Sequence, residues 1–102
     1  MIWINPQNRQ PLEEFHRILY AYLKATDRRY SDQRERVLKL LYLQASPLST
    51  GAIYRRLKEE YPDIGYATVA RHLLFFNQIG WLHVFQRRYL LKAESAILET
   101  CG

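Results

Sequence analysis

The sequence predicts a mainly α-helical domain with a small β-hairpin, the arrangement of a winged helix-turn-helix. Three observations lead to this fold class. Apolar residues repeat at helical spacing in four consecutive segments. A short turn around Pro62 joins the third segment to the fourth. Two short apolar stretches follow Gly80, and the polar pair Gln86-Arg87 separates them, as expected of a hairpin.

The first two helices are predicted over residues 11–25 and 31–44. Pro11 suits the first turn of a helix, where its missing N–H is not needed. Ser31 is a favourable N-cap residue for the second helix. Before them, the apolar residues 1–4 form either a strand or an extended arm.

The third and fourth helices are predicted over residues 49–60 and 65–79. Ser49 is the expected N-cap of the third helix, and Pro62 disfavours helical backbone at the residue before it. Gly80 is the expected C-terminal stop of the fourth helix. These two helices and their short connection form the predicted helix-turn-helix.

The predicted hairpin covers residues 81–91, and one or two helical turns are expected over 94–100. The hairpin alternation is imperfect, and its turn lacks an Asn-Gly signal. The chain has 102 residues, no internal repeat and no linker, so residues 1–102 are predicted to form a single domain.

The charge distribution favours a nucleic-acid partner. The chain has a formal net charge of +5 and 10 acidic residues, yet residues 64–93 contain no Asp or Glu. A helix and a hairpin without negative charge can approach a phosphate backbone without like-charge repulsion. A second basic region starts at Arg28 and continues through the third helix.

A helical wheel divides the fourth helix into two sides. Val69, Leu73, Phe76 and Gly80 fall together and are expected to face the core. Arg71 is the long donor on the opposite side, where it would contact either a guanine edge or a phosphate. The predicted DNA-contacting residues are Arg29, Arg34, Tyr66, Ala67, Thr68, Ala70, Arg71, His72, Arg87 and Arg88. The plainer alternative is a solvated helix face that carries one arginine.

Several motifs resemble the DNA-binding half of the ferric-uptake-regulator family. The matching stretches are Arg29-Tyr30-Ser31-Asp32-Gln33-Arg34, Ile53-Tyr54-Arg55-Arg56-Leu57, Pro62-Asp63-Ile64-Gly65-Tyr66-Ala67-Thr68-Val69-Ala70-Arg71-His72-Leu73 and Ile79-Gly80-Trp81-Leu82. The resemblance covers about residues 24–91 and implies a winged helix that binds DNA. It places the Tyr-Arg pair with which the family reads DNA on Ala70 and Arg71, and a basic residue used near the minor groove on Arg29.

Two departures limit what this resemblance implies. The family tyrosine is replaced by Ala70, so we expect this protein not to read the family's operator. The metal-binding and dimerising C-terminal domain of the family, with its His-rich segments and Cys-x-x-Cys pairs, is absent from the sequence. The resemblance therefore implies the fold and DNA binding, but not metal sensing.

The sequence offers no catalytic or metal-binding constellation. His16, His72 and His83 are scattered without metal-ligand spacing, and no glycine-rich phosphate loop is present. The one cysteine, Cys101, excludes an internal disulfide, and its position near the chain end argues against a redox role. We therefore predict no enzyme activity, no metal and no cofactor.

The favoured hypothesis is a cytoplasmic, sequence-specific regulator that binds double-stranded DNA. No signal peptide or membrane span is expected from the sequence. Two alternatives stay open: a winged-helix protein–protein interaction module, which the many aromatic residues favour somewhat, and a nucleic-acid-binding accessory protein without sequence preference. A homodimer through the N-terminal helix or arm is expected, because a single module reads few base pairs.

Overall fold

The computed structural model describes residues 10–97, which form four helices and three short strands. In chain order these are α1 (Leu12–Ala25), α2 (Asp32–Tyr42), β1 (Leu48–Ser49), α3 (Thr50–Glu60), α4 (Tyr66–Gln78), β2 (Leu82–Phe85) and β3 (Arg88–Leu91). The fold is the expected winged helix-turn-helix, with helices predominating over a small antiparallel sheet. Within residues 10–97, no helix has the length and apolar character needed to cross a membrane.

Side-chain caps fix where α2 and α3 begin. The Ser31 hydroxyl accepts a 3.2 Å hydrogen bond from the backbone N–H of Arg34. The Ser49 hydroxyl does the same for the N–H of Ala52 at 3.1 Å. Each serine satisfies a donor that has no partner inside its helix, so both helices start one residue after the serine.

Left-handed residues terminate α1 and α4. Gly80 follows α4 with φ 87°, and the next N–H, of Trp81, bonds the carbonyl oxygen of Phe76 at 3.0 Å. Asp27 follows α1 with φ 55°, and the N–H of Arg28 bonds the carbonyl oxygen of Leu23 at 2.8 Å. Both ends are Schellman motifs. Only the end of α4 has the glycine that this conformation prefers, because Asp27 occupies the same position after α1.

The sheet has the order β1-β3-β2, and all of its pairs are antiparallel. The hairpin β2–β3 pairs Phe85 with Arg88 next to a two-residue turn. Strand β1 was not expected from the sequence. It places Leu48 opposite Tyr89 and thereby attaches the wing to the segment that enters α3.

Three aromatic side chains form the centre of the core. Trp81 is fully buried, stacks on Phe76 with ring centroids 5.8 Å apart, and meets Phe15 edge-on at 5.3 Å. These three residues come from the start of the wing, α4 and α1 respectively. The core therefore ties the first helix to both parts of the candidate DNA-binding surface.

The helical turn predicted over 94–100 does not form in its described part, residues 94–97. Ser95 instead uses its backbone elsewhere: its N–H bonds the Gln10 side chain at 2.8 Å, and its carbonyl oxygen accepts from the Trp81 indole at 3.0 Å. These tertiary bonds replace the ones that a helix would need. Residues 98–100, Cys101 and the arm at residues 1–4 lie outside the described residues.

Candidate nucleic-acid interface

One side of α4 presents a smooth exposed surface. Ala67, Ala70 and Arg71 are exposed, Tyr66 is 54% exposed, and Thr68 is half-buried. The opposite side buries Val69, Leu73 and Phe76, as the helical wheel predicts. Small side chains beside one arginine leave the helix free to lie close to another surface, and Arg71 supplies the charge.

Tyr66 is held in place by an aromatic pair across the helix-turn-helix. Its ring meets that of Tyr54 on α3 edge-on, with centroids 5.6 Å apart. The Tyr54 hydroxyl accepts a 3.0 Å hydrogen bond from the Lys58 ammonium group, which also lies 5.2 Å from the Tyr54 ring centroid. An exposed tyrosine with a supported ring presents its hydroxyl with little loss of side-chain freedom. Tyr54 and Lys58 were not among the predicted contacts.

His72 requires a correction. The helical wheel placed it at the flank of α4, but it is only 8% exposed and its Nε2 has no hydrogen-bond partner among the described residues. Burial, together with the charges of Arg34 and Arg71, lowers the pKa of His72 to about 4. A neutral, buried imidazole at this position does not belong to the exposed side of the helix.

Arg34 is partly enclosed, with the face of its guanidinium on an aromatic ring and its Nη1 still exposed. Its guanidinium lies over the Phe75 ring, 4.2 Å from the centroid, and its Nη1 donates a long 3.5 Å hydrogen bond to the carbonyl oxygen of Arg29. Burial, followed by the nearby charge of Arg28, lowers the pKa of Arg34. Arg29 itself is exposed at the entry to α2.

The wing carries the remaining predicted contacts at its tip. Arg87 and Arg88 are exposed, and Phe85 beside them is 47% exposed. Both turn residues have positive φ, 48° at Gln86 and 64° at Arg87, as in a type I′ hairpin turn. This turn follows the right-handed twist of the strands and projects Arg87 at the end of the hairpin.

The basic residues of this surface have no acidic partner in the described chain. The three described ion pairs join His16 with Glu35, Arg17 with Glu14, and Arg36 with Glu60. None of them involves Arg29, Arg71, Arg87 or Arg88. These four arginines are therefore exposed cations without an ion pair among residues 10–97.

The predicted contact residues fall on separate parts of the fold. Tyr66, Ala67, Thr68, Ala70 and Arg71 share the accessible side of α4, while Arg87 and Arg88 belong to the wing. The position of Phe75 was not predictable from α4 alone, because its burial beneath two arginines depends on α2 and on the loop before it. In the sequence, the one indication of its role is that this aromatic residue follows Arg71 by one helical turn.

The described residues also contain no group of three or more His, Cys, Asp or Glu side chains suited to a metal ion. The donors that this surface presents are arginine, lysine and tyrosine side chains, whose chemistry suits phosphate and base edges.

The family model described as the ferric uptake regulator family matches residues 25–94. No curated protein matches the chain in sequence. Among solved structures, the ferric uptake regulator Fur of Helicobacter pylori, described with three functional metal binding sites, is 26% identical with a TM-score of 0.79, over 83% of this chain and 60% of that one. A zinc uptake regulator complexed with zinc and DNA is 24% identical with a TM-score of 0.75, over 89% of this chain and 62% of that one. The chain thus spans about three fifths of the length of these two proteins.

Proposed function

Because the chain belongs to the ferric uptake regulator family, we propose that it is a cytoplasmic transcriptional regulator that binds double-stranded DNA in a sequence-specific way and has no catalytic activity. Members of this family are DNA-binding transcription regulators with a winged-helix domain. The observation that carries the proposal is the exposed side of α4, where Ala67, Ala70 and Arg71 are accessible and Arg71 has no acidic partner among residues 10–97.

In the proposed complex, α4 enters the major groove. Arg71 donates to base edges there, and the methyl groups of Ala67, Thr68 and Ala70 contact thymine methyl groups. Tyr66, supported by Tyr54, donates its hydroxyl to a phosphate at the groove edge. These small side chains allow the helix backbone to approach the floor of the groove closely.

The wing tip and the entry to α2 hold this helix on the duplex without contacting bases specifically. Arg87 and Arg88 at the wing tip bind the backbone or the minor groove on one side. Arg29, at the entry to α2, is the corresponding contact on the other. With Ala70 where the family has a tyrosine, we propose that the base preference differs from that of the family.

Selection of bound duplexes from a random pool, followed by titration of the recovered site, tests the proposal. We expect the affinity for that site to exceed that for random duplex by about 10³ or more, and to fall steeply with salt. Arg71→Ala should cost about 1–3 kcal/mol on the selected site and much less on random DNA. Arg36→Ala is the charge-matched control, because Arg36 on α2 is paired with Glu60 at the end of α3, at 2.9 Å.

Each other outcome identifies a different function. Steep salt dependence with equal affinity for all duplexes would contradict the regulator and support an accessory protein that binds nucleic acid without sequence preference. Weak binding to every duplex at low salt would contradict DNA binding and favour a protein–protein interaction module.

We further propose that the regulator acts as a homodimer that uses the outer side of α1. The rings of Tyr20 and Tyr30 are 60% and 51% exposed and lie 6.3 Å apart. With Leu19 and Leu23 they form the apolar part of a groove whose other lining residues are Glu13, His16, Arg17 and Glu35. A two-fold dimer would read two half-sites. Sedimentation of the wild type and of Tyr20→Glu tests this: a dimer that the substitution dissociates is expected, and a wild type that is monomeric at working concentration contradicts it.

A further inference from the structure

Phe75 lies beneath two arginines from another part of the fold. The ring is 5% exposed on α4. The guanidinium carbon of Arg34 lies 4.2 Å from its centroid, and that of Arg28 lies 5.5 Å from it. Arg28 belongs to the loop before α2 and Arg34 to the first turns of that helix. One aromatic ring on α4 therefore brings together two cations that are six residues apart in sequence.

This arrangement places two like charges together without a described carboxylate to neutralise them. Burial is the larger cause of the lowered pKa of Arg34, and the nearby charge of Arg28 lowers that pKa further. None of the ion pairs among residues 10–97 includes either arginine, and Glu35, the nearest acid after Arg34 in α2, faces His16 at 3.7 Å. An anion between the two guanidinium groups would relieve the repulsion between them.

The arginines also retain donors for such an anion. A guanidinium that uses its face on an aromatic ring keeps its N–H groups available in its own plane. The Nε of Arg34 is buried, but its Nη1 is exposed and makes, among the described residues, no hydrogen bond other than the long 3.5 Å contact to the carbonyl oxygen of Arg29. Arg28 is exposed, so its N–H groups are also accessible.

We propose that Arg28 and Arg34, stacked on Phe75, form a binding site for one phosphate group of the DNA backbone. This inference rests on the proposed function, and it adds Arg28 and Phe75 to the interface. Arg34 and Arg28 donate to the phosphate oxygens, and Phe75 is a positioning residue that holds both guanidinium groups. Because the ring is on α4, the site links the phosphate position directly to the helix proposed to read the bases.

The first experiment measures the salt dependence of binding to the selected duplex for Arg28→Gln, Arg34→Gln and the double variant. A lost phosphate contact lowers the slope of log affinity against log salt by about 0.9. Since the two arginines share one phosphate, we expect the double variant to lose about one contact rather than two, equally on selected and random DNA. Arg36→Gln is the matched control on α2, because Arg36 is paired with Glu60 at 2.9 Å.

A second experiment locates the contact on the DNA. Single methylphosphonate substitutions remove one backbone charge at a time. We expect one position at which the neutral linkage weakens the wild type but does not weaken the double variant further. Arg28→Gln keeps the test decisive if Arg34→Gln folds poorly, because Arg28 is exposed. An unchanged slope in both Arg28→Gln and the double variant, with DNA binding intact, would overturn the inference.

A third experiment separates this inference from the proposed function. Titration of the protein with inorganic phosphate should shift the side-chain Nε–H resonance of Arg34 saturably in the wild type and not in Arg28→Gln. If the wild type binds no DNA but gives this saturable shift, the phosphate site stands and the DNA-binding proposal fails. If neither DNA binding nor the shift is observed, both fail.

Discussion

The indole Nε1–H of Trp81 donates a 3.0 Å hydrogen bond to the carbonyl oxygen of Ser95, 14 residues further along the chain. The backbone of Trp81 is also engaged, since its carbonyl oxygen accepts from the N–H of Lys92 at 2.8 Å. Gln10 completes this connection: its side-chain oxygen accepts from the N–H and the hydroxyl of Ser95, at 2.8 and 3.1 Å. One buried aromatic residue therefore joins the end of α4 to the segments before α1 and after β3.

The Trp81 bond leads to a stability prediction. Trp81→Phe removes the donor and leaves the buried carbonyl oxygen of Ser95 without it, at a cost of about 1–3 kcal/mol, and the lost ring volume adds to that cost. Urea unfolding followed by circular dichroism measures the change. Tyr66→Phe, which keeps the ring and removes a hydroxyl from a residue that is 54% exposed, is the control and should alter the free energy of unfolding by less than about 0.5 kcal/mol. Equal stability of the two variants would contradict the role of the indole bond.

The hydrogen bond from Trp81 to Ser95 also shows why part of the fold could not be predicted from the sequence. Helix starts were available from local chemistry, because Ser31 and Ser49 cap the turns that follow them. The absence of helix at residues 94–97 was not, because Ser95 bonds Gln10 and Trp81, which are distant in sequence. Strand β1 is two residues long and pairs with β3, about 40 residues away, so no local pattern marks it.

The candidate site divides in the same way. A helical wheel identifies the exposed side of α4, where Ala67, Ala70 and Arg71 lie, because that side depends only on the helix period. It places His72 wrongly, because whether a flanking residue is buried depends on what packs beside the helix. Arg34 and Phe75 required the same tertiary information, since their contact joins α2 to α4.

Burial of His72 predicts a pH dependence of stability. Its pKa is lowered from 6.5 to about 4 in the folded protein, so the unfolded chain binds the proton more readily. The free energy of unfolding therefore has its full value above pH 6.5. As the pH falls from 6.5 toward 4, protonation of the unfolded chain lowers this free energy by up to about 1.4 kcal/mol per pH unit. Unfolding free energies measured at several pH values should show this slope.

His72→Leu isolates the contribution of the histidine. Carboxylates also titrate in this range, but they are common to both proteins, so the difference between wild type and variant belongs to His72. We expect the stability of the variant relative to the wild type to rise as the pH falls from 6.5 to 4. A constant difference across that range would contradict the lowered pKa.

The end of α1 predicts a stabilising substitution. Asp27 occupies a left-handed conformation with φ 55°, which costs a residue with a Cβ more than it costs glycine. Asp27→Gly should raise the free energy of unfolding by about 0.5–1 kcal/mol, because the backbone relief exceeds the added entropy of the unfolded chain. Asp27→Ala removes the same carboxylate but keeps the Cβ, so thermal unfolding of that variant should show no gain. A gain in both would assign the effect to charge instead.

The wing turn separates the shape of the hairpin from its charge. Gln86 and Arg87 both have positive φ, where asparagine and glycine are preferred, so Gln86→Asn and Arg87→Gly should each raise the melting temperature.

The two substitutions should have different effects on DNA binding. Gln86→Asn keeps the arginine and should leave the salt slope unchanged, whereas Arg87→Gly removes a cation and should lower the slope by about 1 if Arg87 binds a phosphate. A more stable wing with weaker DNA binding would mean that Arg87 occupies an unfavourable backbone position because its charge is needed at the tip. If Arg87→Gly instead left the salt slope unchanged, Arg87 would have no part in DNA binding.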